Sequence, residues 1–276
     1  MGEGGRNGRR DRGRGHAYPH YTHTTMSKTI LITNDDGYGA RGMEILCRAL
    51  EGLGALFVVA PAHEQSASSH SLTVRQRIRV EQVEKNRYKI EGTPTDSVLL
   101  GVQGLLRGKK ADLLVSGINH GPNMGEDVTY SGTVAAAIEG TLLGVPSIAI
   151  SSLQRTVTNE EAIGRIARIV VETALRLGVP RDCLLNVNIP DPDVSPAKGV
   201  RVTKLGSRAY DNLLLGEKGE KGETYFTVGG EDPVWKADEG TDIAAVRMGY
   251  VSITPLHLDS THYKAVVEME PWRFDL

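Results

Sequence analysis

Short apolar runs, recurring between stretches of helical periodicity, constrain this chain more than any other feature. Thr29–Thr33, Ala55–Ala60, Asp112–Ser116, Pro146–Ile150 and Leu184–Ile189 are strand-sized, and they show little polar alternation. Such runs read as strands buried on both faces. Between them, Ala40–Leu53 places Met43, Leu46, Cys47 and Leu50 on one helical face. Thr95–Leu106 follows a Thr93-Pro94 helix opening, Thr133–Leu143 is a very apolar helix, and Asn159–Leu177 is a long amphipathic one. Asn159 or Thr158 is its N-cap, with Glu160 and Glu161 favourable in the first turn. The pattern predicts an α/β fold: a mostly parallel sheet with helices on both faces. Ligands in such folds bind outside the carboxyl ends of the strands.

Three regions depart from that rhythm. Residues 1–25 hold six Gly, five Arg and three His against two acids, Glu3 and Asp11. They cannot build a core and are expected to be a disordered extension before Met26-Ser27-Lys28, which looks like a native beginning. Leu72–Val80 and Arg87–Ile90 alternate and are expected to pair as a hairpin. From Asp191 the chain is richer in Gly, Pro and charge, with isolated strands expected at Val200–Lys204 and Tyr250–Thr254. The division is therefore 1–25, a core over 26–190, and an extension over 191–276 that completes the fold and mediates oligomerisation. Within it Thr224–Val228 is strand-forming and is expected to pair with another chain. The net charge of -2 gives no argument for a nucleic-acid or membrane partner. Two distant cysteines, Cys47 and Cys183, fit a reducing cytoplasm.

The chemistry centres on Thr33-Asn34-Asp35-Asp36-Gly37, directly after the first apolar run. Two adjacent carboxylates at the exit of a buried strand repel each other and lose hydration. A divalent cation offsets both costs, because hard cations take oxygen ligands. Ser66 follows the second run and Asn119 the third, so all four groups fall on one sheet edge. An octahedral ion, Mg or Mn, would keep about two positions for water or a phosphate oxygen. Taken singly, Ser66 and Asn119 read more simply as turn residues; the doublet raises them. Tyr130-Ser131-Gly132-Thr133 opens the apolar helix with amides and hydroxyls suited to an anion, or to plain capping. Gly37-Tyr38-Gly39-Ala40-Arg41-Gly42 fits the dinucleotide pattern G-x-G-x-x-G. However, Asp35 and Asp36 would face the pyrophosphate, and Ala60-Pro61 leaves no acid for a ribose hydroxyl. A nicotinamide-binding oxidoreductase is thus the weaker alternative. His63, His70, His120 and His257 have no identifiable Ser or Cys partner for a triad.

In order along the chain stand Thr33-Asn34-Asp35-Asp36-Gly37, Val59-Ala60-Pro61, Gln65-Ser66-Ala67, Gly92-Thr93-Pro94-Thr95-Asp96, Ser116-Gly117-Ile118-Asn119, Gly121-Pro122-Asn123, Ser131-Gly132-Thr133 and Gly249–Leu256. Over about residues 28–260 this set resembles the survival protein SurE family of nucleotidases. The resemblance implies a Rossmann-like fold and metal-dependent removal of phosphate from nucleoside 5′- or 3′-monophosphates, with short polyphosphate a further substrate of some members. It puts the family's metal ligands on Asp35, Asp36, Ser66 and Asn119, with Asp35 and Asp36 catalytic. Asn123, Ser131, Gly132 and Thr133 are expected at the phosphate. It also implies a homodimer or homotetramer built through exchanged C-terminal arms. A metal–nucleotide sensor without turnover would use the same ligands. Ala67 and Ser97 replace the Gly and Cys of many members, and neither is a ligand position.

Overall fold

The computed structural model describes residues 1–2, 28–156, 158–209, 214–228 and 234–274. The segment expected to be disordered therefore lies outside the described residues, save Met1 and Gly2. In chain order the strands are β1 (Thr29–Thr33), β2 (Ala55–Pro61), β3 (Val80–Glu84), β4 (Arg87–Ile90), β5 (Leu113–His120), β6 (Ser147–Ser152) and β7 (Cys183–Ile189). Then come β8 (Val200–Val202), β9 (Ser207–Ala209), β10 (Leu214–Lys218), β11 (Thr224–Val228), β12 (Val234–Lys236) and β13 (Val251–His257). The helices are α1 (Arg41–Leu50), α2 (Pro94–Leu100), α3 (Gly132–Leu142), α4 (Glu160–Leu177), α5 (Asp242–Arg247) and α6 (Tyr263–Met269).

Nine strands form one sheet in the order β3-β4-β2-β1-β5-β6-β7-β13-β8. From β4 through β7 every neighbouring pair is parallel. Strand alternation sends Ile30 and Ile32 to one face, where α1 and α4 cover them with Leu46, Leu50, Ile163 and Val171. Leu31 and Leu114 face the other side, under Val98 of α2 and Val134 of α3. Burying each such aliphatic chain contributes about 1.5–3 kcal/mol, so both layers are firmly held. The caps follow the residues present. In α2, the Thr93 hydroxyl accepts from the Asp96 amide while the Asp96 carboxylate accepts from the Thr93 amide. In α4 the cap is Asn159, whose side chain accepts from the Ala162 amide.

Several boundaries differ from the sequence expectation, each for a local reason. The hairpin's first strand is Val80–Glu84 rather than Leu72–Val80. The Thr73 amide and hydroxyl are both bound to the Asp96 carboxylate, at 2.9 and 2.6 Å, so that stretch cannot enter a ladder. Strand β2 runs one residue past the apolar run, to Pro61, which pairs with Ile90. The third apolar run continues past Ser116 to His120, through a register shift between Gly117 and Asn119 that hides the periodicity. The two strands expected to be isolated instead widen the main sheet. Strand β13 pairs antiparallel with β7, and β8 pairs parallel with β13. Thr224–Val228 forms an antiparallel hairpin with Leu214–Lys218. Both strands of that hairpin are exposed along their whole length.

Candidate metal and phosphate site

Strand β1 is followed by β2 on one side of the sheet, and the chain later returns to place β5 on β1's other side. That reversal opens a crevice beyond the carboxyl ends of β1 and β5. Asp35 and Asp36 leave β1 directly into it, and Asn119 ends β5 beside it. The β2–β3 connection joins the same place, because the Gln65 amide donates to the Asp35 carbonyl at 2.7 Å. That bond carries Ser66 to the crevice, where it is exposed and its hydroxyl donates to Glu64 at 2.8 Å. Asn119 is half-buried, and its side-chain amide donates to the Gly121 carbonyl at 2.8 Å, which leaves its oxygen available.

Asp35 is only 4% exposed. Burial raises its pKa from 3.8 to about 6; the hydrogen bond from Thr133 works against that, and the charge of Asp36 adds to it. Asp36 is also raised, first by burial and then by Glu64, with His120 opposing. Its Oδ2 is buried without a hydrogen-bond partner, as is Oδ1 of neighbouring Asn34. Buried acceptors are normally paired, so an orphaned carboxylate oxygen beside a second carboxylate fits a bound cation. Among the described residues no group of three or more His, Cys, Asp or Glu could hold a metal. The groups at the crevice are two carboxylates with neutral oxygens nearby, the type of donor that hard cations take. A groove of about 770 Å³ between α1 and α4 contains none of these residues.

The residues expected at the phosphate make the following contacts within the chain. Thr133, fully buried, donates its hydroxyl to Asp35 Oδ1 at 2.5 Å. The Ser131 hydroxyl accepts the Val134 amide as the cap of α3. Asn123 donates its side-chain amide to Ser151 and its backbone amide to Asn188, while its carbonyl accepts from Asn186 and Asn188. Gly132 packs on Asp35: a Cβ there would lie 2.8 Å from Asp35 Cβ and 2.9 Å from Ser68 Oγ. The start of α3 thus packs directly against Asp35, beside the crevice.

The G-x-G-x-x-G run also has a packing explanation. A Cβ on Gly42 would fall 1.9 Å from the Ile118 carbonyl, so this glycine lets α1 approach β5. Sequence reasoning missed Ser68, whose hydroxyl is buried without a partner beside Gly132, and the pair His70 Nε2–Glu139 Oε2 at 3.0 Å. A lone acid in the apolar helix 133–143 was the available signal for Glu139.

Fold and crevice together define a three-layer α/β protein with an acidic crevice at its topological switch. A family model described as survival protein SurE matches residues 30–212. The chain belongs to that family. It is 45% identical over 239 residues to the 5′-nucleotidase SurE of Aquifex aeolicus, spanning 86% of this chain and 95% of that one. It is 46% identical over 242 residues to the 5′-nucleotidase SurE of Paramagnetospirillum magneticum, with 86% and 92% covered. The crystal structure of the SurE protein from Aquifex aeolicus superimposes with a TM-score of 0.80 at 44% identity, over 88% of this chain and 98% of that one.

Proposed function

We infer that this chain is a 5′-nucleotidase, a metal-dependent phosphomonoesterase acting on nucleoside monophosphates, and we propose that one divalent ion, Mg or Mn, is held by Asp35, Asp36, Ser66 and Asn119. The observation that carries the reading is the pair of adjacent carboxylates, one buried and one with an orphaned oxygen, at the β1–β5 crevice of a chain similar to 5′-nucleotidases. When bound, such an ion supplies Lewis acidity toward a phosphoryl oxygen and toward water. Asp35, fixed by Thr133, orients the site. Asp36 Oδ2, which has no protein partner, faces the ion, and a carboxylate oxygen of Asp35 or Asp36 that the ion leaves free accepts the proton of the attacking water. His120 beside Asp36 favours the charged form that this role requires. Phosphate enters from the open side, where Ser66 is exposed and Asn119 half-buried.

The finer readings follow from the same supports. The exposed hairpin β10–β11 presents Leu214, Leu215, Tyr225, Phe226 and Val228 to solvent, and we propose that it is exchanged between protomers of a homodimer or homotetramer. No helix among the described residues is long and apolar enough to cross a membrane. With two unpaired cysteines, we place the protein in the cytoplasm. The test is phosphate release from a panel of nucleoside 5′- and 3′-monophosphates and short polyphosphate, with and without Mg²⁺ or Mn²⁺. Metal-dependent release from 5′-monophosphates is expected. Binding without release would make the protein a sensor, and an absorbance change with a nicotinamide cofactor would overturn the hydrolase reading.

A further inference from the structure

We propose that Arg208, at the root of the exposed hairpin, is a positioning residue for the phosphate side of the crevice, acting through Glu126 and Asp127. The proposal rests on the reading of the crevice as the site of a 5′-nucleotidase. By topology the β5–α3 connection lies at the carboxyl ends of the strands, on the rim of that crevice. It contains a single 3-10 turn, Gly125–Thr129, with two half-buried acids, Glu126 and Asp127. This turn runs straight into the start of α3, and the Tyr130 amide donates to the Asp127 carbonyl at 3.1 Å. It also meets the loop that carries Ser66. The Ser69 amide donates to the Tyr130 carbonyl at 3.1 Å, and the Ser69 hydroxyl to the Thr129 carbonyl at 2.8 Å.

Two carboxylates on this rim have the wrong sign for an incoming phosphate, and half-buried charges are screened by salt less than exposed ones. Arg208 engages both. Its backbone amide donates to Glu126 Oε2 at 2.7 Å, and its guanidinium donates to Asp127 Oδ1 at 2.7 Å. The ion pair is well covered, with the Arg208 side chain 16% and that of Asp127 20% exposed. Arg208 is itself held in place. Trp235, directly opposite on β12, sets its ring 5.7 Å from the guanidinium carbon. Asp242 accepts from the Gly125 and Gly206 amides at 2.9 and 2.8 Å, which ties the acidic turn to the entry of β9. The acids are thereby turned toward β9, and the positive charge they meet there offsets their field at the start of α3.

The experiment uses the full chain and titration calorimetry. Mn²⁺ binding is measured on metal-stripped protein, and inorganic phosphate binding at saturating Mn²⁺. Arg208→Gln removes the charge and keeps a donor. It should weaken phosphate binding by about 3–10-fold and leave Mn²⁺ binding unchanged or tighter, since an added negative field opposes an anion and favours a cation. The loss should shrink as salt rises from about 0.05 to about 0.5 M. Arg208→Lys should stay within about 2-fold of the parent, and Asp127→Asn should bind phosphate at least as tightly as the parent. In turnover, Arg208→Gln should raise KM for a nucleoside monophosphate and keep kcat within about 2-fold. A site that is merely loosened would bind both ions more weakly at any salt concentration. That result, or parent-like phosphate binding in Arg208→Gln, overturns the proposal. If Arg208→Gln does not fold, as judged by its thermal transition, Asp127→Asn decides alone, and phosphate binding weaker than the parent's overturns the proposal. A parent that binds both ions but releases no phosphate from nucleotides counts against the nucleotidase reading only. A parent that binds neither ion overturns both.

Discussion

Replacing Asp35 by Asn should stabilise the metal-free protein at alkaline pH while abolishing most of its activity. Asp35 is almost fully buried, and burial, assisted by Asp36, raises its pKa from 3.8 to about 6 despite the Thr133 hydrogen bond. The folded state therefore holds this proton more tightly than the unfolded state does. The resulting penalty is absent below the unfolded value, grows as pH rises from about 4 to 6, and is fully present above the folded value. At roughly 1.4 kcal/mol per pH unit, the gap corresponds to about 3 kcal/mol. Asn removes the charge but must place an amide group against Gly132 and Ser68, which takes back about 1 kcal/mol. The net expectation is a gain of about 2 kcal/mol at pH 8, turning into a loss of about 1 kcal/mol near pH 4. Urea unfolding at pH 8, 6 and 4 in the presence of a chelator measures it. Adding Mn²⁺ at about 100 times its dissociation constant should reverse the order, since the parent then gains about 2.7 kcal/mol that the variant does not. A variant less stable than the parent at pH 8 without metal, or a difference flat across pH, would refute the reasoning.

Ser66→Ala and Asn119→Ala should lose less activity than Asp35→Asn or Asp36→Asn and recover in part with added Mn²⁺, because neutral oxygens bind a dication more weakly than carboxylates; equal losses without rescue in a metal titration would contradict this. Asp242→Ala should destabilise by about 3 kcal/mol or more in urea unfolding, because it strands the buried amides of Gly125, Gly206 and Ile243 that the carboxylate now accepts. Removing residues 1–25 should leave the thermal midpoint and turnover unchanged, and a drop in either would show that the segment works with the enzyme. Substituting residues 210–230 with a short Gly/Ser turn should yield a smaller species by light scattering, and an unchanged mass would exclude the hairpin as the exchanged arm.

The central sheet was legible because each of its parallel strands is buried on both faces, and a continuous apolar run such as Ile30-Leu31-Ile32 has little other use. The carboxylate pair was legible for the opposite reason: Asp35-Asp36 at a buried strand end conflicts with burial unless a cation resolves it. The edges were not legible. Val200–Val202 and Val251–His257 join the sheet by pairings with β13 and β7, and such partners are chosen by three-dimensional adjacency rather than by local periodicity. Strand β5 hid its last residues behind a register shift, which breaks the alternation that sequence reading depends on.

By itself, the sequence determined the α/β class, the family, and which few oxygens stand at strand ends. Only the tertiary structure decided which donor meets which acceptor. Thr133 could equally have faced a phosphate or a carboxylate, since both are anions and both suit the start of a helix. What the structure adds is that Gly132 brings α3 close enough for the Thr133 hydroxyl to reach Asp35. Strand spacing, helix packing and a missing Cβ fix that contact, and none of the three is written in the spacing of residues along the chain.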